Sequence, residues 1–376
     1  MAPRRARILT FFDFPQSPAE QVIPNLRGEG VLMYPEPAGW RRLAATLALT
    51  MPLVLAAGCS TKDNAPTAAG ENPRVTLKIG SSQPETQPNF YCGMKLLKER
   101  VEAQNLNLTL DLFPNSQLGP DAERFASVQV GDIDIDLQGG SAMSTAFPKI
   151  GVLDAAYVFN DVDHFFKWID QNGEPFFKEF NTATDTTIVD AWYFGMRTFT
   201  ATKPIRKPDD LAGLKIRFPN TPQFLANAKA LGANAVAIAV EELYLALQQG
   251  VAQGQENPVV ATHAQKFDEI LKVASLTNHQ VGTHYVVMSD KTLDKMSQAQ
   301  KDALFKAVKD IRAENRKCVD DETKKVLDGW RAESGRTVVE IDQVDRQAFI
   351  SKAEAYFNTF YKGADLELYK SVRAAA

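Results

Sequence analysis

Short strands with one apolar face, each followed by a helical pattern, constrain the fold of this chain more than any other feature. The clearest strand covers residues 106–112, where leucine alternates with Asn, Thr and Asp. Such alternation is typical of a strand with one buried face. Similar strands are predicted at residues 75–79 and 133–137, and a helix is predicted over residues 121–130. Strands that alternate with helices form largely parallel sheets, so the sequence predicts an α/β fold.

A second unit of the same kind follows in the C-terminal half. Apolar residues alternate again over residues 214–218, which predicts a strand. Ser297 and Gln300 have the spacing of a capping box, which opens a long amphipathic helix extending to about Trp330. The other predicted elements are helices over residues 222–231, 241–249, 258–271 and 345–361 and a short strand at Val338 and Ile341.

The N-terminal region differs from the rest of the chain and indicates export. An apolar run over residues 43–55 follows two arginines and is too short for a membrane span, as in a signal peptide. Small residues then precede Cys59, as in the bacterial lipobox; an ordinary A-x-A cleavage site beside this cysteine is the alternative. This predicts a periplasmic protein anchored to the membrane by lipidated Cys59. The resulting division is residues 1–32 as a misassigned start or extension, 33–58 as a lipoprotein signal peptide and 59–73 as a flexible tether.

Length and charge narrow the possible architectures and functions. Without the leader, 376 − 58 = 318 residues remain, which exceeds the roughly 250–300 residues at which single cores stop growing. Two α/β lobes with a ligand cleft between them are therefore expected. A net charge of -4 argues against a nucleic-acid partner, which binds to a concentrated basic face. Cys92 and Cys318 form a disulfide or remain two buried free thiols, and the sequence leaves both open.

Motifs of catalysis and metal binding are missing from the sequence. The four histidines lack metal-ligand spacing, and neither a nucleophile elbow nor a phosphate-binding loop is present. Asp134 and Asp136 share one face of a predicted strand, and we interpret them as a solvated strand edge rather than an acid–base pair. The sequence therefore predicts a binding protein without cofactor or metal, not an enzyme.

Four segments, in order along the chain, resemble the solute receptors of TRAP transporters. They are FPNSQLG at 113–119, GLKIRFPN at 213–220, LALQQGV at 245–251 with GQENP at 254–258, and LTNH at 276–279. The resemblance covers residues 75–361 and includes the receptors for sialic acid and C4-dicarboxylates. It implies a two-lobed fold of the type II periplasmic binding proteins, with a ligand cleft and a long C-terminal helix. The expected lobes are residues 74–195 plus about 284–322, and residues 196–283 plus about 323–370.

Arg217 is the main candidate for ligand binding. Leu214, Ile216 and Phe218 share one strand face, so Lys215 and Arg217 project from the other. A guanidinium at a cleft wall presents a rigid, permanently charged fork that matches a carboxylate. In the family that the chain resembles, the arginine at this position forms the main salt bridge to the ligand carboxylate. A surface arginine without a partner is the alternative.

Two further polar residues carry a ligand-binding role implied by the resemblance. Arg197 matches a second arginine of the family that faces the ligand, and a structural salt bridge between the lobes is its alternative role. Asn257 matches an asparagine that contacts the ligand. Asn257 also has the sequence context of a helix N-cap, because Pro258 follows it, and the two roles are compatible.

The other candidate ligand-binding residues match positions that line the family's cleft. They are Ser82, Gln138, Gly139, Ser141, Trp192, Val240 and His279. Trp192 forms either an aromatic wall of the cleft or part of the core. Val240 replaces an aromatic residue of some relatives, and Gly139 with its neighbouring glycine stands where sialic-acid receptors carry a glutamate. Pocket size therefore stays open, and the resemblance does not favour sialic acid as the ligand.

The resemblance implies capture of a small organic carboxylate by closure of the lobes about a hinge near Arg197 and Thr283. The closed form is then recognised by the membrane subunits of a TRAP transporter. A receptor that feeds a sensor kinase is the first alternative, and an exported hydrolase with an unusual site is the second. The acid itself stays open among C4-dicarboxylates, 2-oxo acids, hydroxy acids, sugar acids and aromatic acids.

Overall fold

A single mixed sheet organises residues 72–375, the part of the chain that this computed structural model describes. The predicted signal peptide, Cys59 and nearly all of the predicted tether lie outside these residues. The strands are β1 Val75–Ser81, β2 Leu108–Phe113, β3 Ile135–Gln138, β4 Thr186–Ala201, β5 Lys215–Phe218, β6 Asn234–Ala237, β7 Gly254–Asn257, β8 Val273–Ser289 and β9 Thr337–Val339. Their order is β2-β1-β3-β8-β4-β7-β5-β6, with β9 beside β8.

Helices pack against the sheet and supply most of the remaining structure. They are α1 Lys95–Glu102, α2 Asp121–Val130, α3 Gly140–Met143, α4 Pro148–Val152, α5 Val162–Thr184, α6 Pro222–Leu231, α7 Val240–Gln248, α8 Val259–Ala264, α9 Asp290–Leu293, α10 Gln298–Ala332, α11 Arg346–Phe360 and α12 Gly363–Ala374. The capping box at the start of α10 is confirmed: the Ser297 hydroxyl accepts from the Gln300 amide at 3.2 Å, and the Gln300 side chain accepts from the Ser297 amide at 3.0 Å.

The long strands β4 and β8 hold the sheet together. They pair antiparallel from Thr186 opposite Ser289 to Ala201 opposite Val273. Parallel strands lie at both ends of this pair: β1, β2 and β3 flank one end, and β5, β6 and β7 flank the other. The predicted α/β class is therefore confirmed. The lobe boundaries stay a prediction.

An irregularity interrupts the β4–β8 ladder near its middle. The register shifts between Tyr193 and Gly195 and again after Arg197. Gly195 has a φ of 120°, which a residue with a Cβ rarely adopts, and it lies opposite Gly282. A Cβ on Gly282 would lie 2.5 Å from the Gly195 carbonyl oxygen. The two glycines therefore allow a bulge, and a bulge changes the direction of neighbouring side chains such as Arg197.

Two predicted elements end earlier than expected. The helix predicted over residues 258–271 stops at Ala264, because Lys266 adopts a left-handed conformation with a φ of 60°. A short 3-10 turn over Phe267–Glu269 follows. The strand predicted through Ile341 is also wrong at that residue, since β9 ends at Val339 and Ile341 begins a 3-10 turn.

A disulfide joins the segment before α1 to the long helix α10. Cys92 and Cys318 are bonded, with their Cα atoms 6.5 Å apart. This decides between the two alternatives that the sequence left open. The bond connects residues 226 positions apart in the chain and therefore closes a large loop.

Candidate functional site

Arg217 lies on β5 with its side chain almost fully buried. Its exposed fraction is 2%, while Ile216 and Phe218 on the same strand enter the core. The guanidinium Nε donates to the Ile238 carbonyl at 2.8 Å. Between residues 72 and 375, no carboxylate oxygen lies within 4.0 Å of this guanidinium, so it forms no ion pair there.

The buried position of Arg217 is electrostatically unfavourable. Burial lowers the pKa of its guanidinium to about 10, and the nearby positive charge of Arg197 acts in the same direction. The negative charges of Glu256, Asp121 and Glu241 act in the opposite direction without contacting it. Arg217 still carries its charge at neutral pH. A buried charge without a partner destabilises a fold, so this position favours an anion from outside the chain.

Arg197 is buried as well, but it already has a partner. Its Nε donates to Glu256 Oε2 at 2.7 Å, and Nη2 donates to Glu256 Oε1 at 2.7 Å and to the Glu256 carbonyl at 2.8 Å. The guanidinium carbon also lies 4.7 Å from the centre of the Phe224 ring. Arg197 therefore forms a structural salt bridge, but Arg197 and Glu256 both belong to the predicted second lobe, so this is not the salt bridge between the lobes that was its alternative role.

Glu256 links Arg197 to His279. Although burial opposes its ionisation, Arg197 and the hydrogen bond from His279 hold the pKa of Glu256 below its usual range. The His279 ring lies 3.3 Å from Glu256 and 2.9 Å from the Thr277 hydroxyl, and it stacks on Phe199. Burial lowers the pKa of His279. His279 supports the Arg197–Glu256 pair from behind and does not line the cavity that Arg197 and Arg217 face.

A cavity of about 570 Å³, including its open mouth, lies in front of the two arginines. Seven of the ten predicted ligand-binding residues line it. These seven are Ser82, Gln138, Gly139, Arg197, Arg217, Val240 and Asn257. The carboxyl ends of two pairs of parallel strands, β1 with β3 and β5 with β7, meet here, which is the usual place for ligands in α/β sheets.

Three predicted residues lie behind the cavity instead of in its wall. Ser141 donates its hydroxyl and its backbone amide to Asp154, both at 2.6 Å. Burial raises the pKa of the Asp154 carboxyl to about 6. Trp192 is part of the core, and its indole donates to the Val308 carbonyl at 3.0 Å. The third is His279. The core alternative for Trp192 is therefore the one found, and Phe194, two positions along the chain, lines the cavity.

Asn257 ends β7 and does not cap the following helix. The N-cap position of α8 is Pro258, and no side chain caps this helix. The predicted capping role of Asn257 is therefore wrong by one residue, because the strand extends through Asn257 before the chain turns. Its amide donates to Gln255 Oε1 at 2.7 Å, and the residue lines the cavity.

A buried ion-pair network fixes the opposite wall. Arg124 Nε donates to Asp136 Oδ1 at 2.9 Å, and its Nη2 donates to Asp121 Oδ1 at 2.7 Å. Gln138 Nε2 donates to Asp136 and to the Asp121 carbonyl at 2.9 and 2.7 Å. The two carboxylates hold the pKa of Arg124 above its usual range, although burial opposes this. The interpretation of Asp136 as a solvated strand edge is wrong, since it is fully buried.

Several cavity residues were missed in the sequence. They include Gln83, Asp121, Phe194, Thr221, Phe224 and His284. Gln83 lies two residues after the end of β1 and Thr221 three residues after the end of β5, so their position after a parallel strand was the available signal. His284 packs on Phe194 with ring centres 4.3 Å apart, and burial lowers its pKa to about 3. His284 is therefore neutral at physiological pH.

The described residues offer neither a metal centre nor a membrane span. Between residues 72 and 375, no group of three or more His, Cys, Asp or Glu side chains is arranged to hold a metal ion. Within the same range, the structure contains no helix with the length and hydrophobicity of a membrane span.

These features define a class of protein. A mixed sheet crossed by two long strands, with a polar cavity at the strand ends and an unpaired buried cation in it, is the arrangement of a type II periplasmic binding protein. The chain belongs to the DctP family of bacterial extracellular solute-binding proteins, family 7, whose model matches residues 79–363. These are the solute-binding proteins of TRAP transporters, so the chain is a periplasmic solute-binding protein and not an enzyme.

Known relatives and structures agree with this family. The sialic acid-binding periplasmic protein SiaP of Vibrio cholerae is 32% identical over 246 residues, which cover 65% of this chain and 76% of SiaP. A TRAP solute-binding protein from Sulfurospirillum deleyianum, solved with succinate, is 27% identical with a TM-score of 0.73, covering 81% of this chain and 99% of that one. Another from a Polaromonas species, solved with D-erythronate, is 28% identical with a TM-score of 0.74, covering 80% and 98%.

Proposed function

We propose that this protein captures a small organic carboxylate in the periplasm and delivers it to the membrane subunits of a TRAP transporter. The observation that carries the proposal is the Arg217 guanidinium, which is buried at the cavity wall without an ion-pair partner between residues 72 and 375. The ligands named for the three relatives above, a sialic acid, succinate and D-erythronate, all carry a carboxylate.

Arg217 has the geometry of a carboxylate clamp. Its Nε is held by the Ile238 carbonyl, which orients the plane of the guanidinium. The Nη groups are then the donors left for a ligand, and two parallel N–H···O bonds to one carboxylate are the strongest arrangement that an arginine forms. Each charge-assisted hydrogen bond contributes about 1.5–3 kcal/mol. Ser82 and Asn257 at the same cavity supply further polar contacts.

Arg197 has a secondary role in this proposal. Because the Glu256 carboxylate and carbonyl already take three of its hydrogen bonds, Arg197 contributes a fixed positive edge and not a free charge. Lobe closure about the middle of β4 and β8 completes the site, with a hinge near Arg197 and Thr283. The glycine bulge at Gly195 and Gly282 supports a hinge at this place, since glycine tolerates a wider range of backbone angles than other residues.

The test begins with the ligand-free protein and a panel of organic acids. A ligand that binds only the native state raises the melting temperature, so a thermal-shift screen identifies candidate acids. Calorimetry on the best acid then compares wild type with Arg217→Lys, which keeps the charge and loses the planar fork. We expect binding to weaken about 10- to 100-fold, matching the loss of one charge-assisted hydrogen bond.

The matched control is Arg206→Lys, the same change at an exposed arginine that does not line the cavity. It should leave affinity unchanged. Wild-type affinity in Arg217→Lys would remove Arg217 from the site, and a panel without any stabilising acid would contradict carboxylate capture.

Anchoring by a lipid on Cys59 is a separate proposal, supported by the apolar run and small residues that precede this cysteine. The full chain, expressed in a bacterial host, should carry a lipidated Cys59 at its mature N-terminus, detectable by mass spectrometry. Cys59→Ala should move the protein from the membrane fraction to the soluble periplasm. A wild-type protein found soluble with an unmodified N-terminus would contradict the anchor.

A further inference from the structure

The charged groups around the cavity differ in whether they have a partner of opposite charge, and this difference affects which ligand fits. Arg197 is neutralised by Glu256, and His284 is uncharged. Asp121 lines the cavity with a side chain that is 42% exposed, and it shares Arg124 with the buried Asp136. Asp121, Asp136 and Arg124 together carry one net negative charge.

Arg217 is thus the one cation of the described cavity lining without a carboxylate partner. One such cation suits one ligand carboxylate. A second carboxylate on the same ligand would meet no other unpaired cation in the described cavity lining, to which Asp121 adds a negative charge. Like charges repel, and the repulsion grows as water is excluded from between them.

Hydrogen-bonding groups point the same way. The side-chain oxygen of Gln83 is buried and receives no hydrogen bond from residues 72–375, and Asp121 presents a carboxylate, which only accepts. The amide groups of Asn257 and Gln138 are already engaged by Gln255, Asp136 and a carbonyl. Gln83 and Asp121 therefore add acceptor oxygens to a lining in which the hydroxyls of Ser82 and Thr221 can both donate and accept. Hydroxyl groups donate, whereas an ionised carboxylate does not.

We infer that the cavity selects a hydroxylated monocarboxylate, the class of hydroxy acids and sugar acids, over a dicarboxylate. The inference rests on the proposed function, since it assigns the carboxylate to Arg217. The hydroxyls face Gln83 and Asp121, and the carboxylate takes the two Nη groups of Arg217.

The experiment compares acids of matched length on the ligand-free full chain. The four-carbon set is butyrate, succinate and the trihydroxy monocarboxylate D-erythronate; the six-carbon set is hexanoate, adipate and gluconate. Calorimetry should show the hydroxylated monocarboxylate of at least one set binding at least about tenfold more tightly than the dicarboxylate and the plain acid of that set. Asp121→Asn should narrow the preference over the dicarboxylate several-fold, because it removes the repelling charge.

Asp111→Asn is the matched control, an identical change at an exposed position of β2, and it should leave the preference unchanged. Thermal unfolding of ligand-free Asp121→Asn shows whether the variant folds. If it does not fold, the comparison of the six acids on the wild-type protein still tests the inference. A dicarboxylate that binds as tightly as the hydroxylated acids of both sets overturns the inference and leaves carboxylate capture intact. A wild-type protein that binds none of the six acids overturns the inference, and the wider panel above then decides the proposed function separately.

Discussion

Replacing Arg217 by Met should abolish ligand binding and yet not destabilise the ligand-free protein. The change removes a buried charge whose burial lowers its pKa to about 10. At about 1.36 kcal/mol per pH unit, this burial disfavours the charged form by on the order of 3 kcal/mol. Methionine also leaves the Ile238 carbonyl without its hydrogen bond, which costs about 1–2 kcal/mol. The expected net effect is a gain of about 1–2 kcal/mol in the free energy of unfolding.

Arg197→Met is the matched comparison, and it should have the opposite effect. It leaves the Glu256 carboxylate fully buried, with His279 as its one remaining side-chain hydrogen-bond partner among residues 72–375. Removing one partner of a buried ion pair typically destabilises a protein by about 3–5 kcal/mol. The same substitution at two arginines of one cavity therefore separates a charge kept for a ligand from a charge that holds the fold.

Urea unfolding of the two ligand-free variants and wild type at neutral pH measures the stabilities. Calorimetry with an acid found by the thermal-shift screen measures binding. Loss of both charge-assisted hydrogen bonds in Arg217→Met predicts an affinity loss of more than about a hundredfold. If Arg217→Met destabilises the protein as strongly as Arg197→Met, or binds the acid with wild-type affinity, the reasoning about the unpaired cation is refuted.

Three further predictions concern stability. Replacing Cys92 and Cys318 by Ser should lower the free energy of unfolding by about 2–5 kcal/mol in urea under non-reducing conditions; an unchanged midpoint would speak against the disulfide. The pKa of His284 is about 3 when the protein is folded and near 6.5 when it is unfolded, so acid favours the unfolded state. Below pH 6.5 the free energy of unfolding of wild type should fall by up to about 1.4 kcal/mol per pH unit relative to that of His284→Gln. Parallel pH profiles of the two proteins would contradict this. Arg124→Met should cost about 3–5 kcal/mol by calorimetric unfolding, since Asp136 stays buried; a smaller loss than for an exposed arginine would contradict it.

Local sequence patterns were enough to predict the elements that have one solvent-exposed face. β1 alternates buried and exposed residues, and α2 and α6 have the bounds that their patterns predicted. The central strands β4 and β8 were missed, although they carry the sheet. Nearly every residue of both is buried, including the polar ones, so their sequences show no alternation. A strand covered on both faces by neighbours has no polar face to signal its period.

Asp136 illustrates why polar residues were misjudged. Its alternation with Asp134 fits an exposed edge, and only tertiary structure brings Arg124 from α2 onto it. Neither local spacing nor composition encodes that contact. Ser141 and His279 were assigned to the ligand because they match cleft-lining positions of the family, but in the structure each contacts a buried carboxylate, of Asp154 and of Glu256.

Arg197 and Arg217 show how the register of neighbouring strands decides which of two arginines has an ion-pair partner. Both lie on strands at the cavity, and both were predicted as ligand contacts from the family resemblance. β7 pairs with both strands, so Glu256 lies opposite Phe199 and beside Arg197, while Gln255 is the residue opposite Arg217. Because side chains on a strand alternate between faces, the single carboxylate of β7 can neutralise one arginine and leaves the other. The neutral glutamine opposite Arg217 keeps that charge unpaired. The more its burial disfavours the ligand-free cavity, the more strongly the site attracts an anion.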